Sequence, residues 1–474
     1  MSIISVFAQK FAQKLPFEAN KTQQTTIQML SEFVLSDTGR EKIFVLRGYA
    51  GTGKTSLIGA LVKTMDELKM RTFLMAPTGR AAKVFALKAN KAAFTIHKSI
   101  YRQQKFSVEM KGFQLLDNRQ HDVLYICDEA SMISTLNEGS PFGTGNLLDD
   151  LIEFVYSADG CRLLLVGDDA QLPPVGQQRS PALDIQQLRG YGLQVITCQL
   201  TEVARQQLDS GILANATILR QQLADGLVDA LPRVLYKNFS DVRRIDGYEF
   251  LECLESSYGR AGLDDTIIIT RSNKRANQFN AGVRNQILGR EEELTAGDRL
   301  LVVKNNYFWG KDFEQLPFIA NGDVVEVKRV RNVREMYGFR FADVEILLSD
   351  YDVETEVTMM LDTLMADGPN LPQSRQQELF NAIGQDYPEI RNQRDLYKMM
   401  KENPYFNALQ VKYAYCVTCH KSQGGQWTDV YLDVAYINPE HLGVDFYRWM
   451  YTAFTRATQT LYLVNPSDDM LEKG

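Results

Sequence analysis

Residues 48–55 read Gly48-Tyr49-Ala50-Gly51-Thr52-Gly53-Lys54-Thr55 and match G-x-x-x-x-G-K-[ST], the pattern of a phosphate-binding loop. The apolar run 43–46 before it predicts a buried strand, and the residues after it predict the start of a helix. In that setting backbone N–H groups point at a polyphosphate. We expect Lys54 to reach the β- and γ-phosphates and the Thr55 hydroxyl to bind Mg²⁺. The loop therefore predicts a nucleoside triphosphate site, without indicating what the energy is used for.

Two further predicted strands end in polar segments. Asp128 and Glu129 follow the apolar run 123–127, and a carboxylate at such a strand end holds Mg²⁺ in phosphate-loop enzymes. Asp128 fits this role, and Glu129 is placed to deprotonate an attacking water. Gln171 lies in Gly167–Gly176 after the next strand and suits a hydrogen bond to the γ-phosphate or the water. On its own, that segment is better explained as a proline-rich surface turn.

Two arginines in the second half of the chain are candidates for the γ-phosphate. Arg205 lies in the segment LTEVARQ and Arg456 in YTAFTRA. Either suits an arginine finger that crosses a cleft between domains. For a lone arginine, a surface salt bridge is the commoner role.

Composition limits the class of protein. The chain has 474 residues, which predicts about two to four domains. No run of 18 or more apolar residues indicates a membrane span, and no apolar segment near the start is typical of a signal peptide. Six cysteines with one isolated C-x-x-C pair favour free thiols in the cytoplasm over a zinc site. The net charge of −7 argues weakly against nucleic acid, although an acidic protein can hold a single strand in a local groove.

The distribution of apolar runs predicts several units. Residues 1–18 are interpreted as a loosely organised leader. A parallel, doubly wound α/β unit covers 19–196, with a hairpin insertion at about 101–118 around Lys111 and Gly112. A second α/β unit is predicted over 197–296 and 410–474. The stretch 297–409 between its two parts is expected to form a small barrel followed by a polar helical excursion.

The order of motifs resembles that of superfamily 1 helicases of the 5′-to-3′ branch, most closely the RecD-like and Dda-like enzymes. The segments that carry the resemblance are Gln24 ahead of the loop, GYAGTGKT, APTGRAAK (76–83), TIHKSIY (95–101), DEASM (128–132), GDDAQLPPVG (167–176), LTEVARQ (200–206), TCHKSQGGQW (418–427) and YTAFTRAT (451–458). The resemblance implies two RecA-like domains, a strand-separating pin near Phe106–Phe113 and an SH3-like barrel within 297–409.

The resemblance also implies roles at the matching positions. Gln24 would recognise adenine, and Gln171, Arg205 and Arg456 would contact the γ-phosphate. Gly424 would couple DNA to the ATP cleft. The implied DNA contacts are Thr78, Gly79, Arg80, Thr95, His97, Thr418, His420 and Lys421.

These observations predict a monomeric, ATP- and Mg²⁺-dependent DNA helicase. It is expected to move 5′-to-3′ on single-stranded DNA, to act at junctions with duplex, and to serve repair, recombination or replication. Two alternatives remain open. One is an RNA helicase, since nothing in the sequence indicates recognition of the 2′-hydroxyl. The other is a DNA-stimulated ATPase subunit of a larger complex, with residues 373–407 as a surface for protein partners.

Overall fold

The computed structural model describes residues 2–36, 41–103, 113–136, 143–202, 209–310, 313, 318–390, 392–435 and 437–472. These residues form two α/β units, each with a parallel sheet, and a closed five-stranded barrel. The predicted fold class is confirmed. In the described part of the chain no helix is both long and apolar enough to cross a membrane.

The first α/β unit is built on a six-stranded parallel sheet of order β3-β2-β6-β7-β1-β8. Its elements are α1 (Ile3–Gln13), α2 (Lys21–Leu35), β1 (Lys42–Gly48), α3 (Lys54–Glu67), β2 (Arg71–Ala76), α4 (Gly79–Ala89), β3 (Ala93–Thr95), α5 (Ile96–Ile100), β4 (Tyr101–Gln103), β5 (Phe113–Leu115), β6 (Val123–Cys127), α6 (Leu147–Tyr156), β7 (Arg162–Gly167), α7 (Ile185–Gly190) and β8 (Gln194–Leu200). Strand β1 lies between β7 and β8 and its residues Ile43–Leu46 are fully buried, as expected for a parallel sheet covered on both faces.

The second α/β unit has a five-stranded parallel sheet of order β16-β10-β17-β18-β9, and the barrel is inserted into it. Its elements are α8 (Gly211–Asp225), β9 (Val242–Ile245), α9 (Phe250–Arg260), β10 (Thr266–Thr270), α10 (Asn273–Gly282), β16 (Cys416–Thr418), α13 (Cys419–Ser422), β17 (Trp427–Asp433), α14 (Val444–Phe454) and β18 (Ala457–Val464). The barrel and its excursion comprise β11 (Arg299–Val302), β12 (Val324–Met336), β13 (Phe339–Leu348), β14 (Val353–Met360), α11 (Gln373–Gly384), α12 (Gln393–Glu402) and β15 (Leu409–Tyr413). Short turns of 3₁₀ or π helix occur at Ala130–Met132, Pro181–Leu183, Val283–Ile287, Leu361–Thr363, Pro439–His441 and Asp468–Met470.

Three expectations about segments are corrected. Residues 1–18 are not a loose leader, because α1 buries Phe7 and Phe11 in the core of the first unit. The boundary predicted between 196 and 197 falls inside strand β8, which pairs with β1 in the first sheet. The boundary predicted between 409 and 410 falls inside β15, which closes the barrel, and only β16 after it joins the second sheet. Periodicity identifies strands, but it does not say which sheet a strand joins.

The predicted hairpin is present at its base, where β4 and β5 pair antiparallel with Tyr101 opposite Leu115. Its outer part, including most of the expected pin at Phe106–Phe113, lies outside the described residues.

Candidate active site

A cavity of about 960 Å³ lies between the two α/β units, at the carboxyl ends of β1, β6 and β7. Ligands of parallel α/β sheets bind at such strand ends. Side chains and backbone from both units line it, among them Ala50, Gly51, Gly53, Lys54, Thr55, Lys88, Asp128, Glu129, Asp168, Gln171, Gly424 and Arg456. The structure thus brings most of the predicted nucleotide-site residues together around one space.

The phosphate-binding loop has the backbone that its glycines predict. Gly51 and Gly53 have φ values of 73° and 85°, in the left-handed region that favours glycine. Gly53 begins the 14-residue helix α3, so the free N–H groups of its first turn face the cavity. Buried Thr52 closes the loop by donating its hydroxyl to Tyr49 O at 2.7 Å. A Cβ on Gly48 would lie 2.9 Å from Lys54 Cγ, which excludes larger residues there.

Lys54 occupies the position expected for a phosphate ligand. Its Nζ donates to Gly48 O at 2.6 Å and to Tyr49 O at 2.9 Å, and lies 3.9 Å from Asp168 Oδ2. These contacts hold the ammonium group over the loop. A cation there attracts an incoming polyphosphate.

Asp128 and Glu129 both line the cavity and differ in environment. Burial, and then the neighbouring Glu129, raise the pKa of Asp128 to about 6. Glu129 has φ 52°, and its N–H donates to Asp128 Oδ1 at 2.9 Å. Asp128 is half-buried, and its carboxylate lines the same cavity as Thr55. A carboxylate and a hydroxyl are oxygen donors that suit Mg²⁺, a hard cation. These two residues therefore fit the predicted metal.

Gln171 and Arg456 reach the cavity from opposite sides. Gln171 is buried, and its Oε1 has no hydrogen-bond partner among the described residues. Arg456 is also buried and is held by its own unit, donating to Thr452 O, Gly425 O and Thr455 Oγ1 at 3.0–3.2 Å. Arg205 lies outside the described residues.

The two glutamines near the start of α2 have different surroundings. Gln24, the predicted adenine contact, is exposed and donates to Ala19 O, and neither Gln23 nor Gln24 is among the residues that line the cavity. Its neighbour Gln23 is buried and donates from Nε2 to Thr52 O in the phosphate loop at 3.0 Å. The reason is the helix start: Asn20 caps α2 and places Gln23 at the third position of the first turn, facing the loop.

Tyr451 is a site residue that sequence reasoning missed. Its buried hydroxyl donates to Asp168 Oδ2 at 2.6 Å and accepts from the N–H of Ala50 in the phosphate loop at 2.9 Å. The next residue of α14, Thr452, accepts from Leu172 N at 2.9 Å. Helix α14 of the second unit is therefore bonded to both the phosphate loop and the segment after β7. The only available signal was the position of Tyr451 in the motif that ends at Arg456.

Gly424 lies where the two units touch. Its φ is 73°, and a Cβ there would lie 2.9 Å from Ala81 Cβ and 3.1 Å from Thr78 Oγ1, both in the first unit. Lys88, another residue that the sequence did not single out, crosses the same boundary by donating to Gln426 Oε1 at 2.7 Å.

The predicted DNA contacts of the first unit are largely packed in this conformation. Thr78 and Thr95 cap α4 and α5, accepting from Ala81 N and Lys98 N. Gly79 faces the barrel, because a Cβ there would meet the Tyr351 hydroxyl at 2.6 Å. Burial lowers the pKa of His97 to about 4, so its imidazole is neutral at pH 7.

The remaining predicted DNA contacts lie where the second unit meets the barrel and the first unit. Arg80 stacks on the ring of Trp427 at 4.0 Å and, with Lys421, lines a cavity of about 40 Å³. Lys421 Nζ has no hydrogen-bond partner among the described residues, and burial lowers its pKa to about 8. Thr418 begins α13 without a side-chain cap bond, and His420 is exposed. A role of these residues in DNA binding stays a prediction.

Comparison with known proteins gives two family matches in chain order. Residues 19–234 match an AAA domain, and residues 413–464 match a UvrD-like helicase C-terminal domain. The uncharacterized protein R530 of Acanthamoeba polyphaga mimivirus is 24% identical over 517 residues, covering 93% of this chain and 99% of that protein. The ATP-dependent RecD2 DNA helicase of Deinococcus radiodurans is 32% identical over 186 residues, covering 39% of this chain and 22% of that protein.

Among solved structures, a Pif1 helicase from Bacteroides in complex with ADP-AlF3 and single-stranded DNA covers 97% of this chain and 95% of that one, with a TM-score of 0.44 and 16% identity. The two family matches follow the chain order of the two α/β units that line the shared cavity. Residues 19–234 are thus similar to an AAA domain and residues 413–464 to the C-terminal domain of UvrD-like helicases, which agrees with the predicted resemblance to superfamily 1 helicases.

Proposed function

We propose that the protein is an ATP-dependent helicase that moves 5′-to-3′ along single-stranded DNA and separates duplex ahead of it. The observation that carries the proposal is the cavity with Lys54 and Glu129 on one wall and Arg456 on the other. A nucleotide bound there contacts both α/β units, so binding and hydrolysis change the contacts that hold the units together. Repetition of that change moves a strand bound across both units.

The loop amides and Lys54 bind the phosphates, and Gln23, in place of Gln24, is proposed to meet the adenine. Mg²⁺, when bound by Thr55 and Asp128, would shield the charge of the phosphates. Glu129 takes a proton from a water whose oxygen attacks the γ-phosphorus. The bond from that phosphorus to the β-phosphate oxygen breaks, and ADP and phosphate result. Gln171 orients the water, and Arg456, with Arg205, stabilises the charge on the transferred group.

We propose the following roles for the parts of the molecule. The first unit, which includes α1 and ends at β8, and the unit formed by 209–296 and 414–472 act as the two RecA-like motor domains, and the insertion between β11 and β15 acts as the SH3-like domain. Single-stranded DNA and its junctions with duplex are the partners, held by residues near Arg80 and Lys421, and the hairpin on β4 and β5 acts as the pin. We further propose that the protein acts as a monomer in the cytoplasm and serves repair, recombination or replication.

The test is unwinding of forked duplexes that carry either a 5′ or a 3′ single-stranded tail, measured alongside ATPase activity. We expect unwinding only with the 5′ tail, ATPase stimulated by poly(dT), and loss of both in Lys54→Ala. A preference for the 3′ tail would contradict the polarity. Stimulation by poly(U) but not by poly(dT) would replace DNA with RNA, and ATPase without unwinding would indicate a subunit that needs partners.

A further inference from the structure

A second cavity of about 420 Å³ lies directly behind the nucleotide cavity, between the segment after β7 and helix α14. The two cavities adjoin at Asp168 and Gln171, which line both of them. None of the proposed catalytic steps takes place in the second cavity. It adjoins the nucleotide cavity, in which the proposed hydrolysis would produce phosphate.

Three guanidinium groups line this cavity, those of Arg47, Arg179 and Arg448. Arg47 lies 3.8 Å from Asp169 Oδ2, and its buried Nε has no partner among the described residues. Arg448 donates to the backbone oxygen of Gln178 at 2.6 Å. Within the described part of the chain, neither Arg448 nor Arg179 has a carboxylate within 4 Å. Neither guanidinium group therefore forms an ion pair among the described residues, while Asp168, Asp169 and Asp184 also line the cavity.

The two arginines are close enough to affect each other. Burial lowers the pKa of Arg448, and the charge of Arg179 lowers it further, whereas the charges of Asp445 and Asp169 raise it. Of the three carboxylates that line the cavity, Asp168 accepts from Tyr451 and Asp184 accepts from the amides that begin α7. Asp169 lies near Arg47, and its Oδ1 has no hydrogen-bond partner among the described residues. Two neighbouring guanidinium groups that form no ion pair of their own are an arrangement that a tetrahedral oxyanion stabilises.

We propose that the second cavity is the exit site for the phosphate product, which Arg448 and Arg179 bind as it leaves. The inference rests on the proposed ATPase. Phosphate formed beside Asp128 and Glu129 is repelled by those carboxylates and attracted by the guanidinium pair beyond Gln171. Gln171 is suited to be the gate, because its Oε1 makes no hydrogen bond among the described residues that would fix it in the wall.

The site also links product release to movement of the units. Arg448 lies on α14, one turn before Tyr451, whereas Arg179 belongs to the first unit. Phosphate held between them bridges the units, so its departure removes a contact that keeps the cleft closed. The exit site thereby delays reopening until phosphate has left.

The test uses the full chain with ATP, Mg²⁺ and poly(dT). Acid-quench measurements give the rate of ATP cleavage, and a fluorescent phosphate-binding sensor gives the rate of release. In Arg448→Gln we expect release to slow roughly tenfold relative to cleavage, the size of one lost charge-assisted hydrogen bond. Arg179→Gln, at an exposed side chain, should act in the same direction. Arg189→Gln on the exposed face of α7 is the control and should leave both rates unchanged.

Three outcomes separate this inference from its rivals. Release that keeps pace with cleavage in both variants overturns the exit site while leaving the ATPase intact. Weaker binding of fluorescent oligo(dT) with unchanged release assigns the arginines to DNA phosphates instead. Absence of ATP cleavage in the unmodified protein overturns the proposed function itself, and the exit site with it.

Discussion

At the scale of single residues, the two adjacent carboxylates of the cavity have separable roles. Both line the cavity, and we propose Glu129 as the group that accepts a proton and half-buried Asp128 as the ligand of a cation. We expect Glu129→Gln to bind a fluorescent ATP analogue normally, because the loop and Lys54 are unchanged, and to lower turnover by roughly 10²–10⁴-fold, the usual contribution of a general base. Nucleotide titration and steady-state phosphate release measure the two effects. Turnover close to that of the unmodified protein would remove Glu129 from this role.

The buried carboxyl group of Asp323 in the barrel is expected to make the stability of the protein depend on pH. Burial, with Asp350 nearby, raises its pKa to about 7, although it accepts from Ala320 N and from the Tyr351 hydroxyl. The folded state therefore favours the protonated form. The cost of the buried charge is absent below the unfolded pKa near 4, grows as pH rises to 7, and is on the order of a few kcal/mol above that.

Asp323→Asn should consequently stabilise the protein at pH 8 more than at pH 5, measured by thermal unfolding at both values. Asp352→Asn, at an exposed position beyond Tyr351, is the matched control and should show no such dependence. If Asp323→Asn changed the unfolding temperature equally at both pH values, the pKa of the Asp323 carboxyl group would not be raised in the folded protein.

Some of the site could be predicted residue by residue, for a physical reason. The roles of Lys54 and Thr55 follow from backbone geometry that a short motif encodes. The position of Gln23 depends on which residue caps α2, and the choice between two adjacent glutamines is decided by packing against the loop. The role of Tyr451 depends on a contact between residues 451, 168 and 50, which no local pattern records.

At the scale of secondary-structure elements, helix α14 joins the two α/β units through Tyr451. In Tyr451→Phe, Asp168 loses a charge-assisted hydrogen bond and the N–H of Ala50 loses its acceptor. We expect these losses to destabilise the contact between the two units by about 1.5–3 kcal/mol. We expect kcat for ATP to fall roughly tenfold, because Arg456 follows the same helix, while the Kd for nucleotide changes little.

The matched control for this variant is Tyr447→Phe on the same helix. Its hydroxyl donates to Ala230 O within the second unit at 2.7 Å, so its loss costs stability without loosening the contact between units. Equal falls in kcat for the two variants would show that Tyr451 acts only through the packing of α14.

Elements with strong local patterns were predictable, whereas others were not. The barrel strands β12, β13 and β14 alternate clearly, and they were expected. Strand β9 has only four residues, two of them arginines, so its sequence has no apolar run and it was missed. Helices α11 and α12, expected as a polar excursion, also bury Leu379, Ile383 and Met400 against Phe339 and Phe341 of the barrel. A role of 373–407 in partner binding stays a prediction.

At the scale of the whole molecule, the barrel also contacts the first unit. Lys83 of α4 pairs with Asp350 at 2.9 Å, and Gly79 packs under Tyr351. The barrel is inserted into the second unit, so its contacts with α4 join the first unit to the second. This link between distant sequence segments sets the arrangement of the domains, and no motif in the sequence predicts it.

Gly424 offers a direct test of closure. In Gly424→Ala the new Cβ would lie 2.9 Å from Ala81 Cβ of the other unit, so we expect the closed arrangement to be disfavoured. The residue also has φ 73°, and that strain alone costs about 1–2 kcal/mol. Gly226→Ala separates the two effects, because Gly226 has φ 72° in the same unit with nothing within 4 Å of its Cβ position.

Both variants should lose similar thermal stability, but only Gly424→Ala should widen the distance between dyes placed on the two units and lower DNA-stimulated ATPase. The wider distance should persist with a non-hydrolysable ATP analogue, since the obstructing methyl group remains in place. If the two variants retained equal ATPase and equal distances, the contact at Gly424 would not control closure. The coupling would then rest on Tyr451 and on the contact between the barrel and α4.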